Sequence, residues 1–203
     1  IVISGYYGFS NAGDEAMLYA IIDSLHSMDP NVQITAISGN PGKTEHRFGV
    51  KAIHRFDLFR ILRAVWKSDV LISGGGSLLQ DVTSQRSTLY YLGVILIGIL
   101  FRKKVFLYAQ GIGPLRKKLT QHIVKLILDH TDAITVRDRA SGEFLQRMHV
   151  KAPVCVTADA VLSLTPVPDE PGRKILDENR IPRGRKLIGI CVRDWPGLDE
   201  MAE

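Results

Sequence analysis

The side chains best suited to bind an anion are those of Arg137 and of the residues around a triple glycine. Arg137 follows an apolar run, and its fixed charge and planar shape suit paired hydrogen bonds to a phosphate or carboxylate. Ser73-Gly74-Gly75-Gly76-Ser77 follows another apolar run, and its glycines let the backbone approach a ligand and turn successive N–H groups toward it. We therefore predict a donor site for a small anion, built from Arg137, Gly74, Gly75, Gly76 and Ser77.

Both patterns also have purely structural explanations. Arg137 could pair with Asp138 or another carboxylate, and a triple glycine also occurs where a helix packs closely against a strand. Because alternate positions of a strand face opposite ways, only one of Arg137 and Arg139 would reach a cleft. We assign Arg137.

The segment at residues 5–15 carries groups that could accept a proton or bind sugar hydroxyls. Its sequence, G-Y-Y-G-F-S-N-A-G-D-E, lacks the G-x-G-x-x-G spacing of dinucleotide sites. Asp14 and Glu15 at a helix start favour the helix dipole but would repel a pyrophosphate. We predict Asp14 or Glu15 as a catalytic base, with Asn11 and Tyr7 binding the acceptor. A capped helix after a permissive turn is the alternative.

The remaining candidate groups form no catalytic or metal-binding set. The spacings of the six histidines and two cysteines predict no zinc site, no Ser-His-Asp or Cys-His arrangement and no cofactor. Gln110-Gly111-Ile112-Gly113-Pro114 ends another apolar run as a tight turn or as part of a cleft. Residues 43–63 are rich in Arg and Lys, which predicts a solvated basic face or, alternatively, a face toward an anionic surface or acidic acceptor.

These candidate residues must be positioned by an alternating series of strands and helices. Short β-branched runs predict strands at 1–4, 33–38, 69–73, 104–110, 132–137 and 154–157. Helical patterns lie near 14–28, 57–67, 85–102, 116–130 and 139–148. This order predicts an α/β, doubly wound, Rossmann-like parallel sheet, in which ligands bind beyond the carboxyl ends of the strands.

A proline-rich stretch at residues 165–172 interrupts this alternation. We predict a first Rossmann-like domain at 1–163, a linker with a short helix at 164–185, and the start of a truncated second domain at 186–203. An apolar strand is expected at 187–192. Arg193 follows it in the equivalent loop, where it would face the same cleft and bind the acceptor.

Composition excludes several classes of protein. With 45% hydrophobic residues the chain is not disordered, and a net charge of +5 does not suggest nucleic-acid binding. The longest apolar run, residues 89–101, falls short of the ~20 residues that span a bilayer, so we predict a helix buried against the sheet. Its basic end and Tyr90-Tyr91 leave a peripheral membrane contact as the alternative. No secretory signal is visible, and cysteine usage fits a reducing, cytoplasmic setting.

Taken in order, the loops resemble those of the polysaccharide pyruvyl transferase family. The resemblance rests on Gly5-Tyr6-Tyr7-Gly8 with Asn11-x-Gly13-Asp14-Glu15, then Ser73 to Ser77, Gln110-Gly111-x-Gly113-Pro114, Arg137-Asp138-x-x-Ser141 and Thr157-Ala158-Asp159-Ala160. Within the family, the chain looks most like the members that pyruvylate secondary cell-wall polymers for surface-layer anchoring.

The resemblance implies a glycosyltransferase-B-like architecture of two Rossmann-type domains, with this chain as the amino-terminal half. It implies phosphoenolpyruvate as donor and a lipid-linked amino-sugar glycan precursor as acceptor, at the cytoplasmic face of the membrane. The product would be a 4,6-linked pyruvate ketal. Arg137 matches the family arginine that holds the donor anion, whereas the family's catalytic histidine lies in the second domain, beyond this chain. A nucleotide-sugar-dependent glycosyltransferase and a non-catalytic dinucleotide-binding domain are the alternatives.

Overall fold

The apolar runs form one parallel sheet. The computed structural model describes residues 1–81, 85–166, 168–182, 184 and 186–190. Its seven-stranded sheet has the order β3-β2-β1-β4-β5-β6-β7, and every neighbouring pair is parallel. The strands are β1 Val2–Ser4, β2 Thr35–Ser38, β3 Lys51–His54, β4 Val70–Gly74, β5 Lys104–Gln110, β6 Ala133–Val136 and β7 Val154–Val156.

The connecting helices begin at residues that cap them. The side chains of Asn11, Asn40, Asp57 and Asp138 each accept a hydrogen bond from a backbone N–H in the first turn of the helix that follows, which stabilises the helix start. The helices of the sheet region are α1 Ala12–Met28, α2 Pro41–Phe48, α3 Leu58–Lys67, α4 Gln85–Leu100, α5 Lys118–Leu128 and α6 Arg139–Arg147. A 3-10 helix at Ala160–Ser163 follows β7.

Hydrophobic cores on both faces of the sheet show why it is doubly wound. Neighbouring residues of one strand point to opposite faces. Thus Ile3 packs with Leu18 and Ile21 of α1, whereas Val2 belongs to the core that α3, α4, α5 and α6 cover. With apolar side chains on both faces, the sheet must be covered by helices on both. The structure confirms the predicted α/β, Rossmann-like fold.

Helix α2 and strand β3 were not predicted from the sequence. Residues 43–63, which include most of both elements, were interpreted as one basic segment. Helix α2 is polar, and it is defined by Asn40 as its cap, Pro41 in its first turn and Gly49 with a left-handed φ of +68° at its end. Strand β3 lies at the sheet edge and has no fully buried residue. It therefore lacks the apolar run that marks the other strands.

The chain divides into two compact units, Ile1–Leu164 and Thr165–Glu203. The second contains helix α7, Asp169–Glu178. The strand predicted at residues 187–192 is not present at 187–190, where the chain is irregular and exposed. Residues 191–192 and Arg193 lie outside the described residues. The domain boundaries at 163 and 185 stay a prediction.

The apolar run at residues 89–101 lies in α4 except for its last residue, which follows the helix. Tyr91, Leu92, Val94 and Ile95 join the larger core. In the part of the chain that the structure describes, no helix combines the length and the hydropathy needed to cross a membrane. The prediction of a helix packed against the sheet is confirmed.

Candidate functional site

The loops singled out in the sequence meet at one edge of the sheet. The strand order reverses between β1 and β4, since β2 and β3 extend the sheet to one side and β5 to β7 to the other. Ligands of such sheets bind near this point, outside the carboxyl ends of the strands. The loops after β4, β5, β6 and β7 all open onto this edge.

Arg137 connects several of these loops. Its backbone N–H donates to the Gln110 carbonyl at 3.1 Å, which fixes it directly after β6. Its Nη1 donates to Asp159 Oδ2 at 3.0 Å, and its Nη2 donates to Ser77 Oγ at 3.1 Å. The side chain remains one-third exposed, at 33%. A guanidinium has five N–H donors, so an anion reaching Arg137 from solvent would meet an arginine that is already oriented.

The carboxylate that orients Arg137 is Asp159 rather than Asp138. Asp138 Oδ2 lies 3.9 Å from Arg137 Nε, and its Oδ1 accepts the Ser141 N–H at the start of α6. Sequence reasoning considered Asp138 or another carboxylate as the structural partner, without singling out Asp159. Asp159 comes shortly after the edge strand β7, and no local pattern connects it with Arg137, which follows β6.

Gly111 provides the space for the guanidinium. A Cβ at this position would lie 2.7 Å from Ser77 Oγ and 3.1 Å from both Nε and Nη2 of Arg137, closer than side-chain atoms normally approach. The first glycine of the Gln110-Gly111-x-Gly113 segment is therefore needed for a specific contact. The alternative that this segment lines the cleft agrees with the structure.

A cavity of about 310 Å³ lies beside Arg137 and Gly111. Its lining includes Ser77, Ser141 and Arg147. Arg147 was not predicted; it adds a second cation, 3.9 Å from Glu143. The start of α6 borders the same cavity through Ala140 and Ser141, and so does Asp138, whose carboxylate accepts the Ser141 N–H. The cavity thus offers two cations to an anion, with one carboxylate beside them.

The triple glycine differs from the prediction. Gly75 and Gly76 have left-handed φ values of +64° and +72°, but their N–H groups do not converge on an open site. Gly75 N donates to the Tyr108 carbonyl at 3.1 Å, and Gly76 N donates to Met17 Sδ at 3.0 Å. The loop folds back onto α1. Of the predicted donor-binding loop, only Ser77 reaches Arg137.

Gly74 and Gly5 have a packing role, because the ring of Tyr7 lies against both. A Cβ at Gly5 would lie 2.3 Å from the ring, and one at Gly74 would lie 3.0 Å from its hydroxyl oxygen. Tyr7 is buried and donates its hydroxyl to the Gly74 carbonyl at 2.8 Å. Burial raises the pKa of Tyr7 well above its usual range, so the phenol stays neutral. Tyr7 and Gly74 thus hold each other inside the domain, and the binding of donor by Gly74 and of acceptor by Tyr7 stays a prediction.

The two acidic residues of α1 have different environments. Glu15 is 4% exposed, and its Oε1 accepts the Gly8 N–H at 2.8 Å. It holds the first loop in place, and its role as a base stays a prediction. Asp14 is partly exposed, and its Oδ1 would lie 3.0 Å from a Cβ at Gly76. Asp14 therefore lies beside the glycine loop and is the more accessible of the two candidate bases.

The first loop also presents exposed rings that the sequence analysis missed. Tyr6 and Phe9 stack with centroids 4.3 Å apart and planes at 13°, and the Arg55 guanidinium lies 5.3 Å from the Phe9 ring centroid. Their i, i+3 spacing was the available signal. Asn11 is exposed and caps α1 by accepting the Gly13 N–H at 3.1 Å. Its predicted contact with an acceptor stays a prediction, as does that of Arg193, which lies outside the described residues.

Replacing Tyr7 by Phe tests the packing role. The Gly74 carbonyl loses a buried hydrogen bond, so we expect the free energy of unfolding to fall by about 1–2 kcal/mol. Urea denaturation measures this change. Tyr19→Phe is the matched control, since Tyr19 is exposed and should change stability by less than about 0.5 kcal/mol. Equal effects of the two substitutions would contradict the assignment.

Metal binding has no support among the described residues, where no group of three or more His, Cys, Asp or Glu is placed to hold an ion.

Two comparisons relate the chain to known proteins. A family model described as polysaccharide pyruvyl transferase matches residues 11–201. The amylovoran biosynthesis protein AmsJ of Erwinia amylovora is 21% identical over 243 aligned residues. This alignment covers 98% of the chain and 58% of AmsJ, so the chain spans a little over half the length of this curated relative.

Proposed function

Because the chain belongs to the polysaccharide pyruvyl transferase family, we propose that it supplies the donor site for transfer of an enolpyruvyl group from phosphoenolpyruvate to a sugar. The acceptor we propose is a secondary cell-wall polysaccharide precursor carried on a lipid, and the product is a 4,6-linked pyruvate ketal. The observation that supports the proposal most directly is Arg137, held by Asp159 and Ser77 at the rim of a cavity that contains a second arginine.

The proposed reaction balances as follows. The donor methylene carbon takes a proton and becomes a methyl group, and the carbon that bore the phosphate forms bonds to two hydroxyl oxygens of one sugar. The C–O bond to phosphate breaks, and phosphate leaves with the electron pair. The two hydroxyl protons end on the methyl carbon and on phosphate. The requirements are an anion site, a base for a hydroxyl and an acid for the methylene carbon.

The described residues can meet two of these requirements. Arg137 would bind the phosphate or carboxylate of the donor, with the Ser77 hydroxyl and Arg147 at the same cavity. Asp14 would accept a proton from the acceptor hydroxyl. The acid would come from a second domain of a glycosyltransferase-B-like arrangement, which agrees with the chain covering 58% of AmsJ.

A direct test measures the products of the complete protein. With phosphoenolpyruvate and a synthetic lipid-linked amino-sugar disaccharide, we expect phosphate release equal to the amount of acceptor that gains a pyruvyl group by mass spectrometry. Release of UDP or GDP from a nucleotide sugar, without reaction of phosphoenolpyruvate, would contradict the proposal and favour a glycosyltransferase. Tight dinucleotide binding with no turnover would favour a non-catalytic domain.

Substitution of Gly111 by Ala tests the geometry around Arg137. The new methyl group would displace the guanidinium and Ser77 Oγ, so we expect the KM for phosphoenolpyruvate to rise by roughly tenfold or more. The atoms it meets are the ends of side chains, so the free energy of unfolding should change by less than about 1 kcal/mol. Gly42→Ala is the control, because no atom lies within 4 Å of its added Cβ. An unchanged KM in Gly111→Ala would argue against this donor position.

A further inference from the structure

Helix α3 carries an apolar surface beyond the side that packs on the sheet. Ile61 and Val65 are buried in the larger core. Phe59 and Trp66 are 88% and 63% exposed. With the partly buried Leu62 they follow i, i+3, i+7 spacing, which places them along one side of the helix. A short helix therefore presents two large aromatic side chains to solvent.

Helix α4 extends this apolar surface. Leu89, Leu96 and Leu100 are exposed, and their i, i+7, i+11 spacing puts them on one side of the helix. A cavity of about 300 Å³ separates the two helices, with Leu58, Ile61, Leu89, Gly93 and Ile97 among its lining residues. We call Leu58, Phe59, Trp66, Leu89, Leu96 and Leu100 the α3–α4 surface.

Basic residues surround the α3–α4 surface. Arg60, Arg63 and Lys67 are exposed on α3. Arg102 is exposed, and Lys103 partly exposed, just after α4. The nearby acids are Asp57, whose Oδ2 lies 3.3 Å from Arg60 Nε, and Asp69, so positive charge remains in excess. Lys104 does not add to this excess of positive charge, because its Nζ donates a hydrogen bond to the Asp132 carboxylate at 2.7 Å.

We propose that the α3–α4 surface docks on an anionic lipid bilayer. Exposed aromatic and leucine side chains bordered by Arg and Lys are the composition of helices that lie in the membrane interface. The excess positive charge argues against a dimer of this chain formed through the α3–α4 surface. A two-fold contact there would bring the basic residues of the two copies together. The apolar space between α3 and α4 could receive part of an acyl chain.

This inference rests on the proposed function only in that a lipid-linked acceptor would bring the protein to a membrane. Vesicle binding is measured without donor or acceptor, so failure of docking and failure of pyruvyl transfer are separate results.

The test is co-sedimentation of the complete protein with vesicles of phosphatidylcholine containing 30% phosphatidylglycerol, about as anionic as a bacterial inner leaflet. We expect binding that weakens at high salt and is much weaker on pure phosphatidylcholine. Phe59→Ser with Trp66→Ser should reduce partitioning by about tenfold or more. Leu119→Ser with Leu126→Ser on α5 is the matched control, because it removes two apolar side chains of similar exposure elsewhere, at 73% and 64%, and should leave binding unchanged.

A second measurement locates the contact. Brominated phosphatidylcholine should quench tryptophan fluorescence more in the wild type than in Trp66→Phe, because Trp66 would lie among the acyl chains. Vesicle binding unaffected by Phe59→Ser with Trp66→Ser would overturn the proposal. Absence of binding would also overturn it, as would a dimer in solution that these substitutions dissociate without any vesicle binding.

Discussion

Arg137→Ala in the complete protein is expected to raise the KM for phosphoenolpyruvate or lower turnover by about 30- to 1,000-fold, which corresponds to roughly 2–4 kcal/mol. The reason is that the guanidinium is oriented before any ligand arrives, by Asp159 on one side and Ser77 on the other. Its loss would leave the anion without its best hydrogen-bond donor, and would also leave Asp159 without its partner.

Kinetics of phosphate release over a range of donor concentrations measure this effect. Arg139→Ala is the matched control, because Arg139 is exposed at the start of α6 and has the same charge two positions away. Arg137→Lys keeps the charge but loses the planar fork, so it should be intermediate. If Arg137→Ala left both kinetic constants unchanged in a folded protein, Arg137 would have no place in the donor site.

Asp14→Asn is expected to lower turnover by about 100- to 10,000-fold with a smaller change in KM, the range that general bases usually contribute. Asp14 lies beside Gly76 at the edge where the strands end. The amide has nearly the same shape as the carboxylate but cannot take a proton. Steady-state kinetics of phosphate release should therefore show the loss in kcat rather than in KM.

Glu15→Gln separates this role from simple loss of an acid in α1. Glu15 Oε1 accepts the Gly8 N–H, and a glutamine oxygen can accept the same bond. We expect Glu15→Gln to retain turnover within a few-fold. Equal losses in Glu15→Gln and Asp14→Asn, or none in either, would exclude Asp14 as the base.

The sequence was sufficient to predict the fold class because the central strands are buried on both faces. The interiors of these strands, such as residues 70–72 and 105–109, are hydrophobic at every position, which only a sheet covered on both sides requires. Helix α2 and strand β3 escaped prediction for the opposite reason, since one is polar and the other is a partly exposed edge strand.

The candidate site was predicted less completely than the fold. Arg137 and Ser77 could be proposed because charge and small residues directly after a strand are visible locally, and the structure brings the two side chains together. The contacts that orient them were not, because Asp159 and Gly111 come close to Arg137 only after the sheet has assembled. The internal hydrogen bonds of the glycine loop and of Tyr7 were not predicted, because a sequence does not show whether an N–H or a hydroxyl already has a partner inside the domain.

The position of the Tyr7 ring over Gly5 and Gly74 bears on where a ligand can approach this sheet. In nucleotide-binding relatives of this topology, the backbone after the first strand must come close to a pyrophosphate. Here an aromatic ring occupies that approach, while the cationic cavity lies farther along the sheet, by β5 and β6. A search for the ligand of this molecule should therefore begin at the cavity by β5 and β6 rather than at the loop after β1.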